Sequence, residues 1–277
     1  MEFDRQLFAA ALESLRCQAT AKQKSNNSNG ENKQLAFSLH LFETLPSTNQ
    51  KLWELLDQGA TSGTVAIAIE QKTGRGQWGR QWHSPPGGLY LSLALAPHLP
   101  AEHAPQLTIC GAWGIGTILR EYDLPVWLKW PNDIVLSERK LGGILTETRV
   151  KQGCITKAVV GVGINLNNPV PENGINLQTF LLNNPSPLLS LEMLAAVILQ
   201  GLASGYQYWQ QHGINNLLPS YQNLLINIGQ KVEIEGNPAT VVGVSANGDL
   251  RVRLLPKGSE PPLEISLQPG TISLGYG

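Results

Sequence analysis

The chain has 277 residues, of which 42% are hydrophobic, and its 20 Lys and Arg residues nearly balance 21 Asp and Glu residues, for a formal net charge of −1. This length and apolar fraction are enough for one sizeable domain and a smaller one. The balanced charge excludes a global positive field that would attract nucleic acid or an acidic membrane, so any polyanion must be small and bound locally.

The cysteines and the amino terminus indicate the compartment. Cys17, Cys110 and Cys154 are far apart and form no C-x-x-C pair, which favours a reducing environment over a disulfide framework or a zinc site. No apolar run approaches the ~18 residues of a membrane span. The first residues also lack the charged-then-apolar order of a secretory signal. We therefore expect a cytoplasmic protein that does not contact a membrane.

The amino-terminal third begins with a helix and a polar stretch. Residues 4–20 carry apolar side chains at three- and four-residue spacing, which predicts a helix. Residues 22–34 contain no large apolar side chain and predict a flexible linker. A strand is expected over residues 35–42. Ser47 followed by Gln50 fits a capping box that opens the next helix.

The run GRGQWGRQW at residues 74–82 lies between predicted strands at 64–70 and 89–96. Glycine lets backbone N–H groups approach an anion, and arginine adds charge-assisted hydrogen bonds to phosphate oxygens. The spacing matches neither the P-loop nor a complete dinucleotide-binding fingerprint. The run therefore predicts a phosphate-binding loop, with a basic, glycine-rich surface turn as the alternative.

In the central part of the chain, a run of predicted strands lies between two predicted helices. Residues 107–122 predict a helix in which Gly111, Gly114 and Gly116 indicate close packing on a sheet. A second helix is predicted at residues 189–212. The strands predicted between them cover residues 126–130, 133–136, 141–150 and 156–165. This order predicts an α+β fold with the helices packed on one face of the sheet.

The carboxy-terminal part changes to short strands at close spacing, which predicts a small SH3-like β-barrel. Its strands are expected at residues 231–235, 239–245, 250–255 and 263–267. The predicted organisation is therefore a helix and linker at 1–34, a main domain at 35–226 and a barrel at 227–277.

A second motif, KWPND at residues 129–133, is followed by Lys140 and the pair Gly142-Gly143. Asp133 could hold a magnesium ion directly or through water, and the glycine N–H groups would be open to a ligand. Taken singly, these residues also fit an ordinary turn, a solvated lysine and a strand bulge. Asn165, at the end of a strand of small residues, is either a site residue or a strand terminator.

Taken together, these segments resemble the catalytic domain of the biotin protein ligases. The shared segments are PSTN at 46–49, Gln71, GRGQWGRQW at 74–82, GLYLS at 88–92, KWPND at 129–133, Lys140 with GGIL at 142–145, and GVGINLN at 161–167. They occur in the family's order and spacing, and the predicted barrel is similar to the family's small carboxy-terminal domain. Joint occurrence of these motifs is far more specific than any one of them.

The resemblance implies an enzyme whose catalytic domain, residues 35–226, contains the family's mixed or antiparallel sheet. Such an enzyme uses biotin, ATP and Mg²⁺ to make biotinyl-5′-AMP and then biotinylates a lysine. The implied acceptor is the biotin carboxyl carrier domain of acetyl-CoA carboxylase. Some members of the family dimerise, so a homodimer is a further expectation.

The resemblance also implies roles for individual residues. Arg75 and Lys140 are the implied catalytic residues, and Asp133 is the implied metal ligand. The residues implied to bind biotin are Ser47, Thr48, Asn49, Gln71, Gly74, Arg75, Gly76, Gln77, Lys140 and Gly143. Those implied to bind ATP and the adenylate are Arg75, Arg80, Trp82, Lys129, Asn132, Lys140 and Asn165.

The chain departs from the family pattern in two places. Most members carry arginine where this chain has Gln77, and the neutral amide lacks a full charge over the adenylate phosphate. Some members carry an amino-terminal winged helix-turn-helix and repress transcription, whereas here one helix and a polar linker occupy that place. We therefore expect the short type, without DNA binding.

Three alternatives stay open at this point. A lipoate–protein ligase shares the fold and reaction type, but the glycine loop with Lys140 favours the biotin branch. A sensor that binds biotin or nucleotide without turnover is disfavoured because both Arg75 and Lys140 are present. A DNA-binding repressor is disfavoured by the near-neutral charge.

Overall fold

The computed structural model describes residues 3–25, 35–182, 186–255 and 261–275. The helices are α1 (Arg5–Ser25), α2 (Thr48–Asp57), α3 (Pro105–Glu121), α4 (Leu177–Phe180) and α5 (Leu191–Gln222). The strands are β1 (Ser38–Leu45), β2 (Thr64–Gln71), β3 (Leu89–Leu95), β4 (Leu99–Pro100), β5 (Trp127–Lys129), β6 (Asp133–Leu136), β7 (Arg139–Lys151), β8 (Cys154–Ile164), β9 (Lys231–Ile234), β10 (Asn237–Val244), β11 (Leu250–Leu254) and β12 (Glu264–Leu267).

The first eight strands form one mixed sheet in the order β1-β2-β3-β8-β7-β6-β5, with β4 paired to β8. Strands β1 and β2 run parallel, and the other neighbours pair antiparallel. The predicted α+β class with a mixed sheet is confirmed. The glycine-rich run joins β2 to β3, which are adjacent in the sheet, as expected.

The two faces of this sheet are covered by different helices. Val65 and Ile67 of β2 belong to the main core, which also contains buried side chains of α3 and α5. Ala66 lies between them on the opposite face, because successive strand residues alternate, and it packs with Leu52 and Leu56 of α2. The prediction that the helices share one face is therefore wrong: α2 covers the second face.

Helices α3 and α5 pack very closely, and glycine makes this possible. A Cβ on Gly114 would collide with the carbonyl oxygen of Gly201 and lie 2.9 Å from the backbone of Gly205. The glycines of α3 were predicted to pack on a sheet, but Gly114 packs on another helix. The periodicity shows a small-residue stripe but not which element approaches it.

Helix α1 is a part of the main core. Phe8, Leu12 and Leu15 are buried there, and α1 packs against α5. At its start, the Asp4 backbone N–H donates to Glu192 Oε1 at 3.0 Å. The helix extends into the segment predicted as linker and ends at Ser25; residues 26–34 lie outside the described residues. The expected separation of this helix from the main domain is not found, because its apolar stripe is covered by α5.

Two helix ends differ from expectation. Ser47 is the N-cap of α2, but its side chain makes no capping hydrogen bond, so the predicted capping box with Gln50 is not formed. Helix α5 continues past the predicted end at residue 212, with a kink at Gly213, where φ is 72°. In the described part of the chain, no helix combines the length and apolar character needed to cross a bilayer.

The carboxy-terminal strands form a separate antiparallel sheet in the order β12-β11-β10-β9. Strands β12 and β9 are its edges and do not pair with each other among the described residues, so the predicted closed barrel is not seen. The segment between α5 and this sheet pairs with β5: the Leu128 N–H donates to the Leu224 carbonyl at 2.8 Å, and the Ile226 N–H donates to the Leu128 carbonyl at 2.9 Å. The carboxy-terminal sheet therefore follows directly from a segment that is bound to β5.

Candidate active site

A cleft of about 380 Å³ opens between the glycine-rich run, the ends of β5 to β8 and the last described residues of the chain. The predicted site residues that line it are Ser47, Thr48, Asn49, Gln71, Arg75, Gly76, Gln77, Arg80, Trp82, Lys129, Asn132, Asp133, Lys140 and Gly143. These residues come from widely separated parts of the chain, and the mixed sheet brings them to one place. Gly74 and Asn165 do not line the cleft.

One end of the cleft is lined mainly by uncharged groups that form hydrogen bonds. The backbone N–H of Thr48 donates to Gln71 Oε1 at 2.8 Å, and the Thr48 hydroxyl donates to the same oxygen at 3.1 Å. Gln71 Nε2 in turn donates to Ser84 Oγ at 2.9 Å. Ser92 Oγ donates to Asn49 Oδ1 at 2.6 Å. This network orients amides and hydroxyls before any ligand is bound, as recognition of a small polar head group requires.

The other end of the cleft carries positive charge from the sheet. Lys140 Nζ lies 2.6 Å from Asp133 Oδ1 and 5.3 Å from the centroid of the Trp82 ring. Lys129 is only 6% exposed. Burial lowers the pKa of Lys129 to about 8; Asp133 partly offsets this, and the like charge of Lys140 adds to it. Two lysines and one carboxylate thus form a charged cluster that can receive an anion.

The backbone around Lys140 is held from several directions. Its N–H donates to the Asn173 carbonyl at 2.9 Å, and its carbonyl accepts from the Ile175 N–H at 3.0 Å. Asn165 Nδ2 donates to the Lys140 and Ile175 carbonyls at 3.3 and 3.2 Å. Asn165 is buried, so the structure gives it a role in fixing the neighbouring loop rather than in lining the cleft.

The glycine-rich run is a tight hairpin. The Trp82 N–H donates to the Gly74 carbonyl at 2.9 Å, and the Gly76 N–H donates to the Arg80 carbonyl at 2.7 Å. The Gly76 N–H is therefore used within the loop and does not point free to an anion, contrary to the sequence interpretation. A Cβ on Gly74 would collide with the Trp82 carbonyl oxygen and Ser84 Oγ, so glycine is needed there for close approach of the two arms.

Arg75 pairs with a carboxylate that the sequence did not single out. Its guanidinium donates to Glu147 Oε2 at 3.1 Å, and Asn49 Nδ2 and Trp53 Nε1 donate to the same oxygen at 3.0 and 3.2 Å. Glu147 lies half-buried on β7, and a single acidic residue in a strand carries no sequence signal of such a role. Ser92 does carry a sequence signal, because a polar residue in an otherwise apolar strand indicates a buried hydrogen-bonding role.

Two polar atoms beside the cleft are buried without a hydrogen-bond partner among the described residues. They are Gln77 Oε1 and Trp82 Nε1. The Trp82 indole lies over Gly163, where a Cβ would collide with Nε1. A buried polar group that lacks a partner costs free energy, so these atoms favour a ligand that supplies a donor and an acceptor.

Within the described ranges, no group of three or more His, Cys, Asp or Glu side chains could hold a metal ion. Asp133 is the one carboxylate among the described residues that line the cleft. Magnesium usually takes one or two protein carboxylates together with substrate phosphates and water, so a single aspartate fits a Mg²⁺ that arrives with a nucleotide.

The fold is that of a ligase family. Residues 41–165 match the model of the biotin/lipoate A/B protein ligase family. The chain is 33% identical over 218 residues to the bifunctional ligase/repressor BirA of Salmonella typhimurium, which covers 76% of this chain and 67% of that protein. The chain belongs to this family.

Two further comparisons agree with this placement. A biotin--[acetyl-CoA-carboxylase] ligase of Paracoccus denitrificans is 34% identical over 123 residues, covering 43% of this chain and 51% of that protein. The structure of the biotin protein ligase of Aquifex aeolicus in complex with biotin and ATP aligns with a TM-score of 0.64 and 26% identity, over 83% of this chain and 99% of that chain. The chain spans 63% of the length of the first curated relatives that it matches.

Proposed function

We propose that this chain is an ATP-dependent biotin protein ligase. It activates biotin as biotinyl-5′-AMP and transfers the biotinyl group to a lysine of the biotin carboxyl carrier domain of acetyl-CoA carboxylase. The observation that carries the proposal is a single cleft with an uncharged hydrogen-bonding end, around Thr48 and Gln71, and a cationic end at Lys129 and Lys140. A molecule with a neutral polar head and an anionic tail fits both ends.

In the first step, a carboxylate oxygen of biotin attacks the α-phosphorus of ATP and pyrophosphate leaves. Negative charge grows on the α-phosphate oxygens and on the leaving group. Cations held in a partly closed cleft stabilise that charge without having to reorganise. Lys140, whose backbone is held on both sides, supplies such a charge, and Arg75 supplies a second one when it exchanges Glu147 for the substrate.

In the second step, the lysine amine of the acceptor attacks the acyl carbon of the adenylate. An amide bond forms, the bond between the acyl carbon and the phosphate oxygen breaks, and AMP leaves with release of one proton. The cleft contributes by holding the biotin head group at its uncharged end and the phosphate at its cationic end, so that the acyl carbon between them is fixed for attack.

Magnesium would neutralise charge on the phosphates when bound with ATP. We propose Asp133 as the protein ligand, because it is the carboxylate at the cationic end. Lys140, 2.6 Å from Asp133 Oδ1, keeps that carboxylate oriented toward the cleft.

A lipoate ligase is not favoured. The uncharged end of the cleft is built from amides and hydroxyls that are already aligned by Gln71 and Ser92. Such groups match the donors and acceptors of a ureido ring, whereas a dithiolane ring offers no comparable hydrogen bonds.

The test is incubation of the protein with biotin, ATP·Mg and an isolated biotin carboxyl carrier domain, read by intact mass. One biotinyl addition is expected with biotin and none with lipoate. ATP–pyrophosphate exchange that depends on biotin separates an enzyme from a sensor. Absence of exchange, with biotin still bound, would contradict the proposal.

Three finer expectations stay predictions. They are a cytoplasmic location, a homodimer and closure of the carboxy-terminal sheet into an SH3-like barrel. Light scattering of the purified protein with and without biotin and ATP tests the dimer, and cross-strand proton contacts between β9 and β12 test the barrel.

A further inference from the structure

The last described residues of the chain contribute to the cleft, although the family match ends at residue 165. Ile272, Ser273, Leu274 and Gly275 line it beside the lysines and the glycine-rich run. Leu274 is only 8% exposed and belongs to the main core. We call residues 268–275 the C-terminal segment.

The C-terminal segment contacts the tip of the glycine-rich hairpin where Gly270 meets Trp78. Gly270 has φ +98°, and a Cβ built on it would lie 2.9 Å from Trp78 Nε1 and 3.1 Å from Trp78 Cε2. Trp78 itself has left-handed backbone angles, φ 54° and ψ 38°, and its side chain is 53% exposed. The guanidinium of Arg80 lies 5.6 Å from the centroid of the same ring. Trp78, a half-exposed residue with left-handed backbone angles, is thus in close contact with Gly270.

The carboxy-terminal sheet that precedes this segment is fastened to the opposite wall of the cleft. Trp130 Nε1 donates to the Gly248 carbonyl at 2.8 Å, and the Trp130 N–H donates to Asn227 Oδ1 at 2.8 Å. Trp130 lies between Lys129 and Pro131 in the KWPND motif. The carboxy-terminal part of the chain is thus attached to one side of the cleft at Trp130, and it contacts the glycine-rich hairpin on the other side at Trp78.

We propose that the C-terminal segment is a wall of the ligand site that retains the acyl-adenylate, and that the contact between Gly270 and Trp78 keeps this wall in place. The inference rests on the proposed function. An acyl-adenylate is hydrolysed by water, so a ligase must cover it until the acceptor lysine arrives. The hairpin is exposed at Trp78, and residues 272–275 line the cleft together with it, so they can add cover that the hairpin alone lacks.

The chain offers a matched pair of glycines for the test. Gly236 lies in the turn between β9 and β10 with φ +77°, and a Cβ there meets no atom within 4 Å. Gly270→Ala and Gly236→Ala both place a side chain at a positive φ, and only Gly270→Ala also crowds Trp78.

The measurement is the rate at which labelled biotinyl-adenylate, formed on the enzyme from biotin and ATP·Mg, is released. We expect release at least about fivefold faster in Gly270→Ala and within about twofold of wild type in Gly236→Ala. Equal release from the two variants would overturn the proposal.

A second variant covers the case in which Gly270→Ala folds poorly. Trp78→Ala removes the indole and introduces no crowding, and we expect it to release the adenylate faster as well. In the double variant, alanine at position 270 should add nothing, because its contact partner is gone. Independent, multiplying effects would show that the two residues do not act through one contact.

Failure of the proposed function gives a different result. A wild-type protein that shows no biotin-dependent pyrophosphate exchange is not this enzyme. A wild-type protein that forms the adenylate, with unchanged release in both Gly270→Ala and Trp78→Ala, would leave the enzyme intact and overturn only the role of the C-terminal segment.

Discussion

Two sides of the cleft carry cations and are held in different ways. We call the side with Lys129 and Lys140 the sheet wall, and the glycine-rich run with Arg75 the loop wall. On the sheet wall, Lys129 is buried and Lys140 has a side chain that is 29% exposed. On the loop wall, Arg75 is 45% exposed and its partner Glu147 is 26% exposed. The sheet wall is set by strand pairing and by the hydrogen bonds around Lys140, whereas the loop wall depends on a short hairpin.

This difference indicates a division of labour. A charge held in place before the substrate arrives lowers the barrier most effectively, because no reorganisation is needed during the reaction. A charge on a movable loop can instead follow the ligand in and out. We therefore assign the larger part of transition-state stabilisation to the sheet wall and ligand retention to the loop wall.

The largest effect is expected from the sheet wall. Lys140→Ala should lower biotin-dependent pyrophosphate exchange about a hundredfold or more, since loss of one well-placed charge donor costs about 3 kcal/mol at the transition state. Lys51→Ala is the control, because Lys51 pairs with Glu54 on the surface of α2. Exchange within threefold of wild type in Lys140→Ala would contradict the assignment.

On the loop wall, Gln77→Arg should slow release of biotinyl-adenylate about five- to thirtyfold, which corresponds to about 1–2 kcal/mol for a charge-assisted contact. The wild-type enzyme should accordingly biotinylate more bystander lysines than this variant does. Gln81→Arg adds the same charge to an exposed position of the same loop, at the margin of the cleft. Equal retention in both variants would show that the net charge of the loop, and not position 77, controls release.

The buried lysine of the sheet wall should make nucleotide binding depend on pH. Because the pKa of Lys129 is about 8, the side chain loses its charge as the pH rises through that value. The KM for ATP should then rise about tenfold between pH 7 and pH 9. The effect should be absent in Lys129→Arg, which stays charged over this range.

The same lysine should affect folding stability in the opposite sense: as the pH rises, ATP binding weakens but the folded state gains stability. Below pH 8, the native protein carries a buried charge at Lys129, whereas lysine in the unfolded chain stays protonated up to about pH 10.4. The contribution of Lys129 to the free energy of unfolding should therefore increase between about pH 8 and pH 10. Chemical denaturation of wild type and Lys129→Arg over this range measures it, and parallel pH profiles would contradict the expectation.

The smallest effect is expected from the partner of Arg75. Glu147→Gln removes the charge that competes with the substrate for the guanidinium but keeps an acceptor for Asn49 and Trp53. The KM for ATP should fall by up to about fivefold, as exposed ion pairs contribute about 0.2–1 kcal/mol. Asp57→Asn, which breaks the exposed pair with Arg149 on the same strand, is the control. A higher KM in Glu147→Gln would mean that Glu147 holds Arg75 in its working position.

Much of the fold could be predicted from local pattern. Alternating and periodic apolar residues located β2, β3, β8 and the cores of α3 and α5, because burial of one face imposes these periods. The helix ends were less predictable. Ser47 occupies the N-cap position of α2, but its side chain makes no capping hydrogen bond.

The cleft could be predicted to the extent that its residues form contiguous motifs. The glycine-rich run and the KWPND motif are short chain segments with characteristic composition, so they carry a local signal. Glu147 and the C-terminal segment carry none, because Glu147 meets Arg75, and residues 272–275 meet the cleft, only through packing between distant parts of the chain.

The amino-acid sequence by itself determined the class of fold, the family, and half of the residues that line the cleft, because apolar periodicity and motif spacing are local properties of the chain. The tertiary structure decided which surfaces meet. It placed α2 on the second face of the sheet, packed α1 against α5, used the Gly76 N–H within the hairpin, and brought residues 272–275 into the cleft. These outcomes depend on which distant surfaces best exclude water from each other, and no local pattern records that choice.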